Sequence, residues 1–312
     1  MAKRTLPRLL QTPAVVLLLL WMLVPLGLTL YFSFIRYVLN NLRRPEWTSP
    51  SFSNWRGFGN YEYVLNAKDF WFAVQNSLFI VGSILLLTVV LGLALAILVN
   101  RSFPGRGIVR VLLISPFFVM PAVNAVLWIN MILDPVLGLN GIAVEGINSW
   151  VAGLKDFPIL GYFFSLWPDI EPMSFRATQT SAYAVIIMVT WQWTPFAVLI
   201  FMTSLQSEDE QQKEAAILDG AGAWSRFRNL TLPHLGRPIA IVVMIQSIFH
   251  LSLYAEIEIV SRGNGNKNLP YLIGEFSSNN IGAASATGIF AVILANIVAI
   301  FLLRMVGKNL MD

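Results

Sequence analysis

Apolar residues along this chain are gathered into long runs separated by polar stretches. The first runs from about Pro13 to Ile35, and five more lie near 71–99, 108–133, 181–206, 237–260 and 284–306. Each has at least roughly 20 residues, enough to cross about 30 Å of hydrocarbon as a helix. Helices are expected because backbone amides find no water inside a bilayer. Ionisable residues are rare within the runs, as their cost there demands. The pattern therefore predicts an all-α integral membrane protein with about six transmembrane helices.

Composition agrees. Of 312 residues, 56% are hydrophobic and 12% charged, where soluble domains run near a quarter charged. Mean hydropathy over the whole chain is +0.66. With no cysteine and two histidines, a disulfide frame, a thiol nucleophile and a metal site are not expected. Lys3, Arg4 and Arg8 precede the first run as in a secretory signal, but the run is longer than a signal's and lacks a small-residue cleavage site, so a retained helix is expected.

The net charge of +4 bears on topology and not on nucleic acid. Lys and Arg are about twice as dense in 1–12, 100–110, 207–237 and 304–312 as in 36–70, 134–180 and 261–283. The first set is placed in the cytoplasm, with both termini, although Arg36, Arg43, Arg44 and Arg56 blunt the bias. The outer stretches Asn54–Tyr61 and Ser165–Asp169 are rich in turn formers and aromatics, which favours turns over regular elements. Trp47, Trp55, Trp71, Trp150 and Trp167 suit the membrane interface.

The most informative segment is 207–233. Ser207 and Glu210 fit a capping box, and Glu208, Asp209 and Glu210 lie at the positive end of a helix dipole. A short helix is expected from about Glu208 to Leu218. Gly220 and Gly222 then allow a break, and a second short helix covers Trp224 to Asn229, ending before Pro233. Ala215 and Ala216 would give this knob a small-residue surface, flanked by Glu214 and Asp219. The residues alone leave open a docking element or a solvated connector.

Glu214-Ala215-Ala216, two residues, Asp219-Gly220-Ala221, ten residues and Leu232-Pro233 resemble the EAA loop of ABC importer permeases. The resemblance implies that Glu214, Ala215, Ala216, Asp219 and Gly220 form the coupling helix that docks on an ATPase subunit. Asn76-Ser77, Gly92-Leu93-Ala94-Leu95-Ala96, Gly105-Arg106-Gly107 and Arg110 are similar to the carbohydrate-uptake branch related to maltose permeases. The stretch from Ser115 to Pro121 with Trp128, and Tyr254-Ala255-Glu256-Ile257, look like the sorbitol and mannitol permeases. Where relatives often have Gly-Gly-Pro, this chain has Arg262-Gly263-Asn264-Gly265-Asn266, and its 141–180 loop looks longer than usual.

The resemblance implies a subunit of the bacterial inner membrane that moves a sugar or polyol inward by alternating access. A second homologous permease, two ATPase subunits and an external solute-binding protein would complete the importer. Residues 1–70 would form an N-terminal helix with its outer loop, 71–306 the permease core, and 207–236 the coupling loop within it. No phosphate loop, His-Glu-x-x-His or Gly-x-Ser-x-Gly occurs. ATP and Mg are thus expected on the partner ATPases, with no cofactor and no catalysis on this chain, and Asn229-Leu230-Thr231 is an inert sequon.

Candidate substrate contacts are polar or aromatic residues deep in the runs: Asn124, Trp191, Gln192, Trp193, Gln246, His250 and Glu256, with Asn296 in the last. Amides and carboxylates suit sugar hydroxyls, and aromatic faces suit their C–H surfaces. Hydrogen bonding between helices is the competing role for Asn, Gln and His. Rival functions are an ion-coupled secondary carrier, which needs mid-membrane charges, and a membrane-embedded enzyme using Glu256, Glu258, Asp169 or Glu171 as acid and base.

Overall fold

The computed structural model describes residues 5–39, 43–155 and 168–311. All regular elements among them are helical; two isolated bridges, Ile35 to Trp55 and Val38 to Asn280, are the only extended pairings. The helices are α1 (Thr5–Ser33), α2 (Gly59–Asn66), α3 (Lys68–Asn100), α4 (Arg106–Ile114), α5 (Pro121–Leu127), α6 (Leu139–Lys155), α7 (Ser181–Gln206), α8 (Glu210–Leu218), α9 (Ala223–Arg226), α10 (Leu232–His234), α11 (Gly236–His250), α12 (Ala255–Ser261), α13 (Leu269–Ser277) and α14 (Ile281–Met311).

Four helices among the described residues are long and apolar enough to cross a membrane, in α1, α3, α7 and α14. Two bent pairs bring the number to six if each is one span. In the first, Arg106–Phe118 meets Pro121–Ile132 at 104°. The cause is the pair of prolines: Pro116 opens a 3₁₀ turn, Pro121 opens α5, and Met120 before it is driven to φ −61°, ψ 140°. In the second, Ala223–His234 meets α11 at 55°. The expected continuous helix over 108–133 is thus interrupted at the first bend, and that over 237–260 by the turn between His250 and Ala255.

The chain divides into two compact units. The first comprises residues 1–74 and 269–296. Its core packs Val64, Phe70 and Ala73 against Leu269, Leu272, Ala283 and Ala286. Buried Asn60 donates to the carbonyls of Ser33 (2.9 Å) and Ile35 (2.7 Å), which pins the chain leaving α1. The apolar window of α1 itself buries nothing against the protein, as suits a helix solvated by hydrocarbon.

The second unit comprises residues 75–268 and 297–312. Here α7 is the central helix, with 61% of its apolar window buried against 28% for α3. Phe201, Val198 and Ala197 pack on Ala96, Leu235 and Val242. A Cβ on Gly92 would lie 2.6 Å from that of Ala197, so the absent side chain sets how closely α3 approaches α7.

The Asn54–Tyr61 stretch keeps its expected turn at 57–58 and then enters α2 at Gly59, and α6 (Leu139–Lys155) reaches into the long 141–180 loop. Ahead of α6, the Asp134 carboxylate accepts from Val136 N (2.9 Å) and Leu137 N (2.8 Å). The bonds from Leu137 and Val136 hold its carboxyl below the usual range. Trp55, Trp71 and Trp150 are exposed, Trp47 lies under Arg36 and Arg44, and Trp167 lies outside the described residues.

Candidate functional site

The 207–233 segment forms the helix–turn–helix knob its sequence implies, with a different cap. Because α7 runs to Gln206, Ser207 is used as its C-cap, and its hydroxyl donates to Ser204 O at 2.8 Å. Asp209 caps α8 instead, accepting from Gln211 N at 2.9 Å. No residue of α8 is buried.

The end of α8 is a Schellman turn. Gly220 N donates to Ile217 O (3.0 Å) and Ala221 N to Ala216 O (2.9 Å). Gly220 sits at φ +78°, the left-handed conformation that this turn requires. After extended Gly222, α9 begins and passes into a π turn, Phe227–Thr231, in which Leu232 N reaches back to Phe227 O. That wider turn carries the helix through Pro233 to His234, so the second helix does not stop before the proline.

Glu214, Ala215, Asp219 and Gly220 are exposed and Ala216 half-buried. Beside them stand Leu218 (87% exposed), Trp224 (72%) and Ile217 (55%). These three were not singled out from the sequence. Large apolar side chains exposed together suit contact with a protein or a membrane surface, and their clustering around a polar loop was the available signal.

Within the apolar helices the amides are tied across the bundle. Asn124 on α5 donates to Gln192 Oε1 (3.0 Å) and Met188 O (3.2 Å) on α7. Gln192 donates in turn to Val119 O, at the break before Pro121. Gln246 on α11 donates to Trp193 O (3.3 Å) and accepts from Thr88 on α3 (2.7 Å).

Trp191 and Trp193 do not form one cluster with Gln192. Two residues apart on a helix, they point about 200° away from each other. Trp191 packs on Trp128 at 5.7 Å and lines a cavity of about 430 Å³ with Thr190, Thr194, Leu91 and Pro116. Trp193 faces Phe117, Phe249 and His250, the last edge-on at 5.0 Å. His250 is buried, and among the described residues neither of its ring nitrogens has a hydrogen-bond partner. Glu256 is buried on α12, which packs on α5 and α7. Asn296 is exposed and donates to Val292 O within its own helix.

Residues 88–312 match the family of binding-protein-dependent transport system inner membrane components. This chain belongs to that family. The permease is 26% identical over 311 residues to the trehalose transport system permease protein SugA of Mycobacterium tuberculosis, covering 98% of this chain and 90% of that protein. It is 27% identical over 228 residues to the trehalose/maltose permease protein MalF of Thermococcus litoralis, covering 72% and 70%. Its fold matches a chain of a bacterial ABC transporter that imports alginate, with TM-score 0.74, 19% identity, and coverage of 98% and 96%. The permease is therefore a transport subunit of an inner membrane importer and not an enzyme.

Proposed function

We propose that this permease moves a sugar or polyol inward by alternating access, as one of two homologous permeases in the importer. Two ATPase subunits would hold ATP and Mg, and an external solute-binding protein would deliver the substrate. Both termini would lie in the cytoplasm. The observation that carries the reading is the uncovered α8–Gly220–α9 knob, which presents Glu214, Ala215, Ala216 and Asp219 at the EAA spacing. The substrate class is supported by relatives named for trehalose and maltose over most of their length. The polyol alternative is supported by the Ser115–Pro121 stretch and Trp128.

Trp191, Trp193, His250 and Glu256 are the proposed substrate contacts. An aromatic face suits a sugar's C–H surface, and carboxylate or imidazole suits its hydroxyls. Asn124, Gln192 and Gln246 already bond across helices, so they support the site by fixing α3, α5, α7 and α11 around it. The test is to purify the intact complex in lipid and measure ATP hydrolysis with its binding protein and trehalose, maltose, sorbitol or mannitol. Stimulation by one of these is expected. A complex that carries no ATPase subunits would sink the importer reading, and stimulation by none of these solutes would sink the substrate class.

A further inference from the structure

We propose that Glu208 and Thr231 clamp the base of the coupling loop, making Glu208 a positioning residue for energy coupling. The proposal rests on reading this loop as the ATPase dock.

Glu208 lies in the polar linker between α7 and α8, where a carboxylate would ordinarily face water. Its side chain is 8% exposed, against 74% for Glu210 two residues on. One oxygen accepts from Thr231 Oγ1 at 2.9 Å, across 23 residues of sequence. The other is 3.6 Å from Lys213 Nζ, in the first turn of α8. The same carboxylate therefore holds both the start of the first short helix and the end of the π turn. A second tie lies just below, where His234 Nε2 is 2.9 Å from Ser204 O.

The physical need for a clamp follows from the joints. No side chain of α8 is buried, so packing does not fix its direction. The chain has non-helical joints on each side of it, at Ser207–Asp209 and at Gly220–Gly222. Push on a knob hinged at both joints and the joints rotate while α7 and α11 stay still. With 208 tied to 231 and 204 to 234, the joints are closed into a loop, and displacement of α8 reaches both helices together. A charge-assisted hydrogen bond is the stronger kind, and its loss shifts an equilibrium by roughly tenfold or more.

The experiment uses the complete importer in vesicles, with ATPase subunits per permease and ATP hydrolysed per solute transported as readouts. Glu208→Ala and Thr231→Val are expected to retain the ATPase subunits while raising ATP per solute, on the order of tenfold if the whole bond is lost. Thr231→Ser keeps the hydroxyl and is expected to stay within about twofold of wild type, whereas Glu208→Gln keeps an acceptor for Thr231 but loses the charge and the Lys213 pair, and is expected to fall between wild type and Glu208→Ala. The double variant should be no worse than Glu208→Ala, which already removes the shared bond. A ratio unchanged in Glu208→Ala and Thr231→Val, with or without less complex in the membrane, overturns the clamp. So does a ratio raised by Thr231→Ser as much as by Thr231→Val. A wild-type complex without ATPase subunits removes the dock and the clamp together, whereas a coupled wild type matched by its variants removes only the clamp.

Discussion

Replacing Gly220 should uncouple the permease in a graded way set by backbone geometry alone. Gly220 has φ +78° and a Cβ there would meet nothing within 4 Å, so no clash contributes. The cost is that of forcing an L residue into the left-handed region, about 1–2 kcal/mol. Asn tolerates that region best, Ala less well, and β-branched Val least. Because α8 has nine residues and none is buried, packing adds little to hold the turn, and the bond from Arg226 to Ala221 O (2.8 Å) is common to every variant. A loss of about 1.4 kcal/mol lowers the population of the docked shape tenfold.

The expected order of ATPase retention and of hydrolysis stimulated by loaded binding protein is therefore Gly, Asn, Ala, Val at position 220. Gly222, at φ −66° with nothing within 4 Å of its Cβ position, is the control. Gly222→Ala should behave as wild type. All variants should reach the membrane, since the knob lies outside the apolar spans. Wild-type coupling in Gly220→Val, or equal damage from Gly222→Ala, would refute the argument.

Three further outcomes are expected. Gly265→Ala should lower the unfolding midpoint in detergent, because its Cβ would lie 1.8 Å from Thr178 O at φ +78°; strain plus overlap costs about 2–5 kcal/mol, and an unchanged midpoint would contradict the loop geometry. Trp191→Ala should reduce uptake with assembly intact, whereas Gln192→Ala should also lower stability by about 1–3 kcal/mol, because it removes the acceptor of one Asn124 bond and the side-chain donor to Val119 O; the pair is distinguished by complex yield against uptake over a range of solute concentrations. Single cysteines at Gln212 and Asn264 should label from opposite sides of the membrane, and labelling from one side would refute the topology.

The spans were legible where one physical term dominated. α7 matches its apolar run at both ends because nothing interrupts the pattern from Ser181 to Gln206. The break at Val119–Met120 was present in the sequence as Pro116 and Pro121, but Pro195 has the same local signature and α7 continues through it. Burial on several sides holds α7 helical there, and burial is not visible in a linear string. α6 lies in what the sequence shows only as a long outer loop, because the segment holding Gly141, Gly146 and Gly153 does not form an apolar run. In the knob, Gly220 was identifiable because few residues adopt positive φ, while the cap shifted from Ser207 to Asp209 because Ser207 is taken up as the C-cap of α7. Among the candidate contacts, the opposed directions of Trp191 and Trp193 follow from helix geometry; the partners of Gln192 and Gln246 do not, since they come from other helices.

The loop from Arg262 to Gly265 has a bearing on how such a protein can change over generations. Arg262 (φ 50°), Gly263 (φ 74°) and Gly265 (φ 78°) all take left-handed angles, and Ser181 Oγ and Thr178 Oγ1 both bond Asn264. Exposed Arg262 and Asn264 leave room for a lineage to alter what this surface meets. Gly265 leaves none, since any side chain collides with the backbone of Thr178. Descendants adapting to a new cargo would therefore be expected to vary around this glycine while inheriting it, whatever they carry.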